Sequence, residues 1–241
     1  VAKAASTVEY SFLEHCLRED LNETAQRVMA VIRPVKLVIT NYPEGQSETF
    51  EVENNPNRPE DGMRTITFSR ELYVEEEDFL EVPVPKYKRL YPDGPECRLK
   101  GAYLITCTGC KKNDDGTIAE IYATYDPDSR GGNPADGRKV KGATIHWVDA
   151  ATAVEAECRL YDNLFSDAAP DAADKNFLDC LNPDSLEVVT GCKVEAGLKD
   201  AVAPASFQFM RVGYFCLDNK DSRPGHLVFN RSVSLKDSFK K

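Results

Sequence analysis

The sequence predicts a mainly β protein built from barrels, and three observations indicate that fold class. Short apolar runs rich in β-branched residues recur along most of the chain, with Gly, Pro, Asn and Asp between them, which is typical of all-β barrels. The run Val154–Tyr161 alternates apolar and polar residues without a break, as a half-buried strand does. The tetrad Asn113–Gly116 separates two further runs and ends in Asp-Gly, a strong hairpin signal.

Before the strands, the chain has the pattern of a short helix. Ser6 followed by Glu9 has the spacing of a capping box at a helix N-terminus. The apolar face of this helix, with a period of 3.6 residues, would be formed by Val8, Phe12, Leu13, Cys16 and Leu17. Any helical stretch ends by Arg33, because the residue before Pro34 avoids the α conformation.

After Pro34 the pattern changes to short strands. The predicted strands are Val35–Thr40, Thr65–Phe68, Leu72–Val74, Ala102–Cys107, Ile118–Tyr125, Val154–Tyr161, Phe207–Phe209, Tyr214–Leu217 and Leu227–Val233. A short helix is also predicted near Asp174–Leu181. The sequence therefore predicts a short helical segment followed by a long series of strands.

The composition favours a soluble, cytoplasmic chain with reduced cysteines. Hydrophobic residues make up 41% and charged residues 29%, a balance with which a chain can bury a core. The apolar runs are short, such as Val35–Ile39, and none approaches the roughly 18 residues of a membrane span. Several cysteines lie inside strand-like runs, as at Cys107, Cys158 and Cys216, so we expect buried free thiols.

The charge is distributed unevenly. The net charge of −10 argues against nucleic-acid binding, yet residues 86–112 contain seven basic residues and two acidic ones. A second basic cluster is formed by Arg138, Lys139 and Lys141, and acidic residues concentrate elsewhere, as in Glu75–Asp78. This asymmetry would orient a polyanion onto one face. The alternative is that these are solvated surface charges, and the acidic run in particular is interpreted as a solvated edge.

The pair Cys107 and Cys110 has the spacing of a metal or redox motif. A structural zinc site would need a second cysteine pair or two suitably spaced histidines, and the sequence has neither. The pair also does not stand at the strand-to-helix start of a thioredoxin-like site. We therefore expect no metal site.

A set of longer motifs carries more information than any single residue. These motifs are Arg18–Asn22, Ala30–Leu37, Pro134–Gly142 followed by Ile145–Val148, Arg159–Phe165, Gly213–Asp218 and Phe229–Asp237. In this order they strongly resemble the C-terminal half of the bacterial glutaminyl-tRNA synthetases, over about Val8 to Phe239.

The resemblance implies two β-barrels after the end of a helical connecting subdomain, with a distal barrel inserted into a proximal one. Residues 1–25 would end the helical subdomain. Residues 26–84 together with 165–241 would form the proximal barrel, and residues 85–164 the distal barrel. Periodicity does not show this discontinuity.

The resemblance also implies which residues contact tRNA near the first and middle anticodon bases. Arg27 matches a contact to the first base, Asn22 matches one near the anticodon stem-loop, and Asn57 is a base contact or a turn residue. The run Lys86, Tyr87, Lys88 and Arg89 matches contacts to the middle base, and basic residues beside an aromatic ring suit stacking and phosphate binding. Lys86 departs from the glutamine expected there.

Further positions match the third base. They are Arg98, Lys100, Gln208 and Arg211. Arg98 and Lys100 are two residues apart and so expected on one strand face, and Lys100 replaces an arginine, which removes a bidentate donor. Ser238 stands near the middle base where the family has threonine. For Arg138, Lys139 and Lys141, structural and phosphate-binding roles stay open.

The signature motifs of a class I catalytic domain do not occur in the sequence. We therefore expect no catalytic residues and no cofactor in this chain, with ATP and Mg in a separate catalytic domain of the same polypeptide. The expected partners are tRNA(Gln), mainly through its anticodon loop, and that catalytic domain. DNA and membranes are not expected partners, and we expect a monomer.

Three alternatives stay open at this point. The first is the anticodon region of a related glutamyl-tRNA synthetase, although Arg159–Phe165 and Gly213–Asp218 look closer to the glutaminyl enzymes. The second is a free-standing RNA-binding β-barrel protein. The third is an enzyme that uses Cys107 and Cys110.

Overall fold

The computed structural model describes residues 8–236 and confirms a mainly β fold with one short helix ahead of the strands. In chain order the elements are α1 Tyr10–Thr24, β1 Gln26–Val28, β2 Ala30–Val31, β3 Pro34–Ile39, β4 Ser47–Glu53, β5 Met63–Ser69, β6 Glu71–Glu75, β7 Cys97–Leu99, β8 Leu104–Lys112, β9 Ile118–Tyr125, β10 Thr144–Ile145, β11 Val148–Asp149, β12 Val154–Tyr161, β13 Leu186–Val194, β14 Ser206–Phe209, β15 Gly213–Leu217 and β16 Leu227–Ser234.

The strands form two curled, barrel-like units. One sheet has the order β10-β7-β8-β9-β3-β6-β11, with the β4–β5 hairpin beside it, and spans residues 34–149. The other has the order β1-β14-β15-β16-β12-β13-β2, and spans residues 26–31 together with 154–234. We call the first the inserted barrel and the second the interrupted barrel.

The strand pairing joins segments from both sides of the boundaries that the resemblance implied. Strand β3 lies in the predicted proximal part, yet it pairs in parallel with β9 of the predicted distal part, with Leu37 opposite Ile121. Strand β12 lies in the predicted distal part, yet it pairs with β13 and β16 of the interrupted barrel. In the sheets as paired, residues 34–149 lie between the two parts of the other sheet, and the domain boundaries themselves stay a prediction.

Each barrel has its own aromatic core. In the inserted barrel, the ring of Phe68 lies 5.1–6.0 Å from the rings of Tyr42, Phe50, Tyr103 and Trp147. In the interrupted barrel, Phe209 stacks on Phe215 at 4.2 Å and meets Phe229 edge-on at 5.1 Å. Edge-to-face pairs of this kind add to the free energy gained from burying their apolar area. The two units have separate cores, and Met29 and Val31 from the first segment of the interrupted barrel pack into the core of the inserted one.

Two buried carboxylates hold the segment that crosses between the barrels. Glu75, at the end of β6, accepts hydrogen bonds from the backbone N–H groups of Ile32 and Arg33 at 2.8 and 2.9 Å. Glu195, in the interrupted barrel, accepts from the N–H of Met29 at 3.0 Å and from Arg64 of the inserted barrel at 2.6 Å. Both carboxylates satisfy backbone donors that the sheets leave free.

Several sequence predictions are confirmed, and the strongest local patterns are among them. Strands β9 and β12 have the predicted bounds, and the turn between β8 and β9 closes with a Gly116 N–H to Asn113 carbonyl bond of 3.0 Å. Gly116 has φ 87°, a left-handed conformation that favours glycine. Cys107 and Cys158 lie in strands as buried thiols, as predicted, whereas Cys216 in β15 is only half-buried.

The helix differs from its prediction. It begins at Tyr10 with Glu9 at the N-cap, and Ser6 of the predicted capping box lies outside the described residues. The predicted apolar face is largely exposed, as at Phe12 and Leu13, and the helix is buried instead through Arg18 and Leu21. Leu21 packs with Tyr214 and Val233 of the interrupted barrel. No helix within residues 8–236 is long and apolar enough to cross a membrane.

Candidate nucleic-acid interface

The first group of predicted RNA contacts meets where α1 ends and β1 begins. We call Asn22, Arg27, Asn57 and Gln208 the Arg27 group. Arg27 lies on β1, where its guanidinium donates to the carbonyl of Ala25 at 2.9 Å and to Oδ1 of Asn22 at 3.0 Å. Only 6% of Arg27 is exposed. Two neutral oxygens thus hold the planar guanidinium of this buried arginine in one orientation.

Gln208 and Asn57 complete this group. Strands β1 and β14 run in parallel with Arg27 opposite Gln208, so the two side chains come from neighbouring strands. The amide of Gln208 donates to the hydroxyl of Tyr214 at 3.0 Å. The Nδ2 of Asn57 donates to the carbonyl of Asn22 at 3.2 Å. The group therefore offers a charged fork and three amides from four separate segments.

The second group forms around a buried carboxylate, and we call Asp78, Arg89, Arg211 and His146 the Asp78 group. Arg211 donates from Nη1 and Nη2 to the two oxygens of Asp78, each at 2.7 Å, and Nη1 of Arg89 lies 3.1 Å from Oδ1. Burial lowers the pKa of Arg211, but its hydrogen bond to Asp78 and the Asp78 charge outweigh burial, so the pKa is raised. The arginine is therefore a permanent cation.

The backbone at Arg211 is unusual. Arg211 has φ 68° in the turn between β14 and β15, a conformation that few residues other than glycine adopt. The bidentate pair with Asp78 holds this conformation in place. Strained backbone of this kind concentrates at ligand sites, because surrounding contacts have to maintain it.

Tyr87, Lys86 and Lys88 lie on the loop that carries Arg89. The Tyr87 hydroxyl donates to the carbonyl of Glu77 at 3.0 Å, and burial, with the charge of Asp78 adding to it, raises the pKa of Tyr87 to about 12. Lys86 has φ 67°, and both Lys86 and Lys88 are exposed. The loop thus presents two lysines beside a neutral phenol.

The third group is Arg98 and Lys100, which we call the β7 group. Arg98 lies on β7 and donates from Nε to the carbonyl of Gly132. Gly132 has φ 84°, and a Cβ there would come within 2.9 Å of the Arg98 side chain, so glycine permits this approach. Strand β7 ends at Leu99, so Lys100 lies beyond the strand instead of on one face with Arg98. Lys100 is exposed.

The basic run Arg138–Lys141 divides into two roles. Arg138 forms ion pairs with the carboxylates of Glu96 at 2.6 Å, Asp126 at 2.5 Å and Asp136 at 3.0 Å, which identifies it as a structural anchor of its loop. Lys139 and Lys141 are exposed, and no ion pair within residues 8–236 involves them.

Backbone bonds fix this loop beside the predicted contacts. The N–H of Ala143 donates to the carbonyl of Lys88 at 2.7 Å, and the N–H of Gly142 donates to the carbonyl of Glu96 at 3.0 Å. A Cβ on Gly142 would lie 2.3 Å from that carbonyl oxygen, so the close approach requires glycine. The segment that follows Lys141 is therefore anchored to the backbone at Lys88.

The structure regroups the predicted contacts. The resemblance assigned Gln208 and Arg211 to the third base together with Arg98. In the structure Gln208 lies beside Arg27, and Arg211 shares Asp78 with Arg89. Ser238 lies outside the described residues.

The acidic run Glu75–Asp78 was wrongly interpreted as a solvated edge. Glu75 is 6% exposed and Asp78 is fully buried, while Glu76 and Glu77 are exposed. A 3-10 turn over Glu76–Asp78 follows β6 and directs the first and fourth carboxylates inward. The sequence signal that could have identified Asp78 is its spacing of three residues from Glu75, which places both carboxylates on the same side of a 3-10 turn.

Cys107 and Cys110 do not form a reactive pair. A bulge in β8 separates them, so that Cys107 is buried and Cys110 is half-buried. Burial raises the pKa of the Cys107 thiol to about 11, the opposite of what a nucleophilic thiolate requires. No group of three or more His, Cys, Asp or Glu side chains able to hold a metal ion occurs in the described part of the chain.

Two joined barrels that present arginines, amides and unpaired lysines have the donor groups that nucleic-acid-binding modules use. Comparison with known families then places the chain. Residues 25–126 and residues 144–218 each match a family model described as the anti-codon binding domain of class I tRNA synthetases (E and Q). The chain belongs to this family.

Individual relatives agree with the family models. The chain is 52% identical over 241 residues to a glutamine–tRNA ligase of Bradyrhizobium diazoefficiens, with all of this chain and 42% of the relative covered. It is 53% identical to the glutamine–tRNA ligases of Clostridium perfringens and Vibrio cholerae, with all of this chain and 43% of each relative covered. The chain thus spans about two fifths of the length of these relatives, and neither the glutamyl nor the free-standing alternative is favoured.

Proposed function

We propose that this chain binds tRNA(Gln) by reading its anticodon loop, with the Arg27, Asp78 and β7 groups each contacting unstacked bases. The observation that carries the proposal is that Arg27 lies opposite Gln208 and that Arg89 and Arg211 share Asp78, in a chain that is 52% identical to a glutamine–tRNA ligase. Single-stranded RNA is read in this way, by planar guanidinium groups and by hydrogen bonds to base edges.

Short distances link each of the three groups to the next. Gln208 and Arg211 are three residues apart, so their Cα atoms lie within about 11 Å. Arg89 is one residue from Lys88, whose carbonyl lies 3.5 Å from the sulfur of Cys97, the neighbour of Arg98. Successive bases could therefore enter successive groups. A wrong base would leave donors buried and unpaired, at about 1–3 kcal/mol for each.

Lysines supply the sequence-independent part of the binding. Thirteen lysines lie within residues 8–236, and those without an ion pair include Lys86, Lys88, Lys100, Lys139 and Lys141, all near these groups. Phosphate contacts of this kind position RNA without reading its sequence.

In the proposal, ligation of glutamine to the tRNA with ATP and Mg belongs to the part of the relatives that this chain does not span, and the chain itself binds tRNA as a monomer. We place the protein in the cytoplasm, because buried free thiols such as Cys158 persist in a reducing compartment.

Equilibrium binding tests the proposal. The chain is titrated with tRNA(Gln) and with the same tRNA carrying a changed middle anticodon base, across a salt series. We expect a steep salt dependence and at least tenfold weaker binding to the altered tRNA. Equal binding to both would reduce the interaction to general electrostatic attraction and contradict the proposal.

A further inference from the structure

A single buried carboxylate lies between two of the proposed base-contacting arginines. Asp78 is fully buried, and its two oxygens accept from Nη1 and Nη2 of Arg211 at 2.7 Å. Oδ1 of Asp78 also lies 3.1 Å from Nη1 of Arg89. One buried carboxylate therefore holds two guanidinium groups, and Arg89 also pairs with the exposed Glu77 at 3.0 Å.

The three residues come from two barrels. Arg211 lies in the β14–β15 turn of the interrupted barrel, while Asp78 and Arg89 follow β6 in the inserted barrel. The ion pair therefore crosses the junction and forms only when the two barrels are docked. The positions of the two arginines therefore depend on how the two barrels pack against each other.

The hydrogen bonds of Arg211 leave one edge of its guanidinium open. Nη1 donates to Asp78 and, at 3.2 Å, to Nδ1 of His146, and Nη2 donates one proton to Asp78. An arginine has five N–H donors in a fixed plane. Within residues 8–236, no acceptor takes the Nε proton or the second Nη2 proton. These two donors are parallel and suit two adjacent acceptors.

A hydrogen bond to His146 also fixes the orientation of the Arg211 guanidinium. Because Nδ1 accepts from Arg211, the ring proton belongs on Nε2, which lies 3.3 Å from Oε1 of Glu75. Glu75 in turn accepts from the crossing segment at Ile32 and Arg33. The chain of contacts thus continues from Arg211 to the backbone that joins the barrels.

We propose that Asp78 is a positioning residue for anticodon reading, one that orients the open edge of Arg211 toward two adjacent acceptors on an RNA base. This inference rests on the function proposed above. A free arginine samples many rotamers, and fixing it before binding removes an entropic cost that would otherwise fall on the complex. Guanine presents two such acceptors to arginine, and a phosphate presents them as well.

The test compares two buried carboxylates at the barrel junction. Asp78→Asn and Glu195→Gln each remove one buried charge that pairs with an arginine, but Glu195 contacts Arg64 and none of the proposed RNA contacts. For each variant, affinity is measured for tRNA(Gln) and for the same tRNA with its third anticodon base changed. The ratio of the two affinities does not depend on the folded fraction, since both RNAs bind the same folded protein.

Asp78→Asn should reduce that ratio on the order of tenfold, because a good bidentate contact discriminates by about that much. Glu195→Gln should change the ratio less than twofold. An unchanged ratio for Asp78→Asn overturns the inference, whatever happens to the affinity itself. If the affinity falls equally for both RNAs, the result indicates that Arg211 contacts a phosphate and not a base.

Two further variants keep the test decisive. If Asp78→Asn does not fold, Asp78→Glu retains the charge but displaces the carboxylate by one methylene, and it should still lower the ratio several-fold. Arg211→Lys should abolish the same discrimination. If Arg211→Lys does so while both Asp78 variants keep the wild-type ratio, this inference alone fails. If the wild-type chain does not discriminate, the proposed function fails with it.

Discussion

The Arg27 group and the Asp78 group hold their arginines in opposite ways. Arg27 is held by a carbonyl and an amide oxygen, all within or next to the interrupted barrel. Arg211 is held by a buried carboxylate that belongs to the other barrel. Both groups draw on the two barrels, the first through Asn57, but the oxygens that hold the Arg27 guanidinium are neutral and near in sequence, whereas the carboxylate that holds Arg211 is charged and lies across the junction.

The difference predicts different sensitivities. Neutral hydrogen bonds contribute roughly 1 kcal/mol each to stability. Removal of one partner from a buried ion pair costs several times more, because it leaves an uncompensated charge. The orientation of Arg211 should therefore depend on an ion pair and on solution conditions, whereas that of Arg27 should depend mainly on neutral hydrogen bonds.

The largest expected effect is on stability. Asp78→Ala should lower the free energy of unfolding by about 3 kcal/mol, because Arg211 and Arg89 lose their counter-charge. Asn22→Ala, the matching change in the Arg27 group, should cost about 1 kcal/mol. The midpoints of urea unfolding measure both, provided that the slope is unchanged.

A neighbouring carboxylate controls this comparison. Glu77 lies 3.0 Å from the same Arg89, but its side chain is 73% exposed. Glu77→Ala should change the free energy of unfolding by less than about 0.5 kcal/mol, as surface ion pairs do. Equal losses for Glu77→Ala and Asp78→Ala would show that burial does not distinguish the two carboxylates.

The next effect concerns which base each group reads. Arg27→Lys and Gln208→Ala should weaken discrimination at one anticodon position, and Arg89→Lys and Arg211→Lys at another, each by about 1–3 kcal/mol. The reason is that a lysine cannot replace the planar fork of arginine. Binding to three tRNAs, each with one anticodon base changed, measures the pattern. Loss at the same position for Arg27→Lys and Arg211→Lys would contradict the grouping.

Sequence reasoning succeeded where the pattern was local. Val154–Tyr161 was predicted with its correct bounds because alternation over eight residues specifies one buried face. Strand β13 was missed, since Leu186 and Val188 are exposed and Gly191 has φ 75°, which breaks the alternation. Short strands such as β1 and β2 have too few residues for any period to be read.

Sequence reasoning could not reach the features that depend on distant contacts. The parallel pairing of β3 with β9 joins residues about eighty positions apart, and nothing in either run specifies its partner. For the same reason, four successive acidic residues do not reveal that Asp78 meets Arg211 of another barrel. Individual contacts such as Arg27 and Arg89 came from family resemblance, whereas their grouping required the structure.

The pH dependence should distinguish the junction beside the Asp78 group from the Arg27 group. Burial favours protonation of Glu75, but His146 and the backbone N–H groups of Ile32 and Arg33 outweigh it and hold its pKa below the ordinary 4.5. As pH falls, the unfolded chain therefore binds this proton first. The stabilisation is complete above pH 4.5 and is lost as pH falls through the lowered pKa.

The variant Glu75→Gln removes the ionisable carboxyl group and so tests this pH dependence of stability. The variant should be less stable than wild type at pH 7, and the difference should shrink as pH is lowered below 4.5, in urea unfolding at matched ionic strength. The variant should also discriminate less between anticodon bases at the Asp78 group, because Glu75 contacts His146 of that group. Base discrimination at the Arg27 group should persist. A constant difference in stability across pH would contradict the assignment.

The smallest expected effect belongs to a charge outside both groups. Lys141→Ala should weaken binding to tRNA(Gln) by up to about threefold at moderate salt and reduce the salt slope by about 0.7, the value for one phosphate contact on a single strand. Lys220→Ala is the matched control, since Lys220 is equally exposed but lies on the β15–β16 connection. Because a point charge on a phosphate reads no base, every altered anticodon should lose affinity by the same factor. A loss of affinity confined to one altered anticodon would instead assign Lys141 to one of the base-contacting groups. An equal loss for Lys220→Ala would show that lysines contribute only through general electrostatic attraction, wherever they lie.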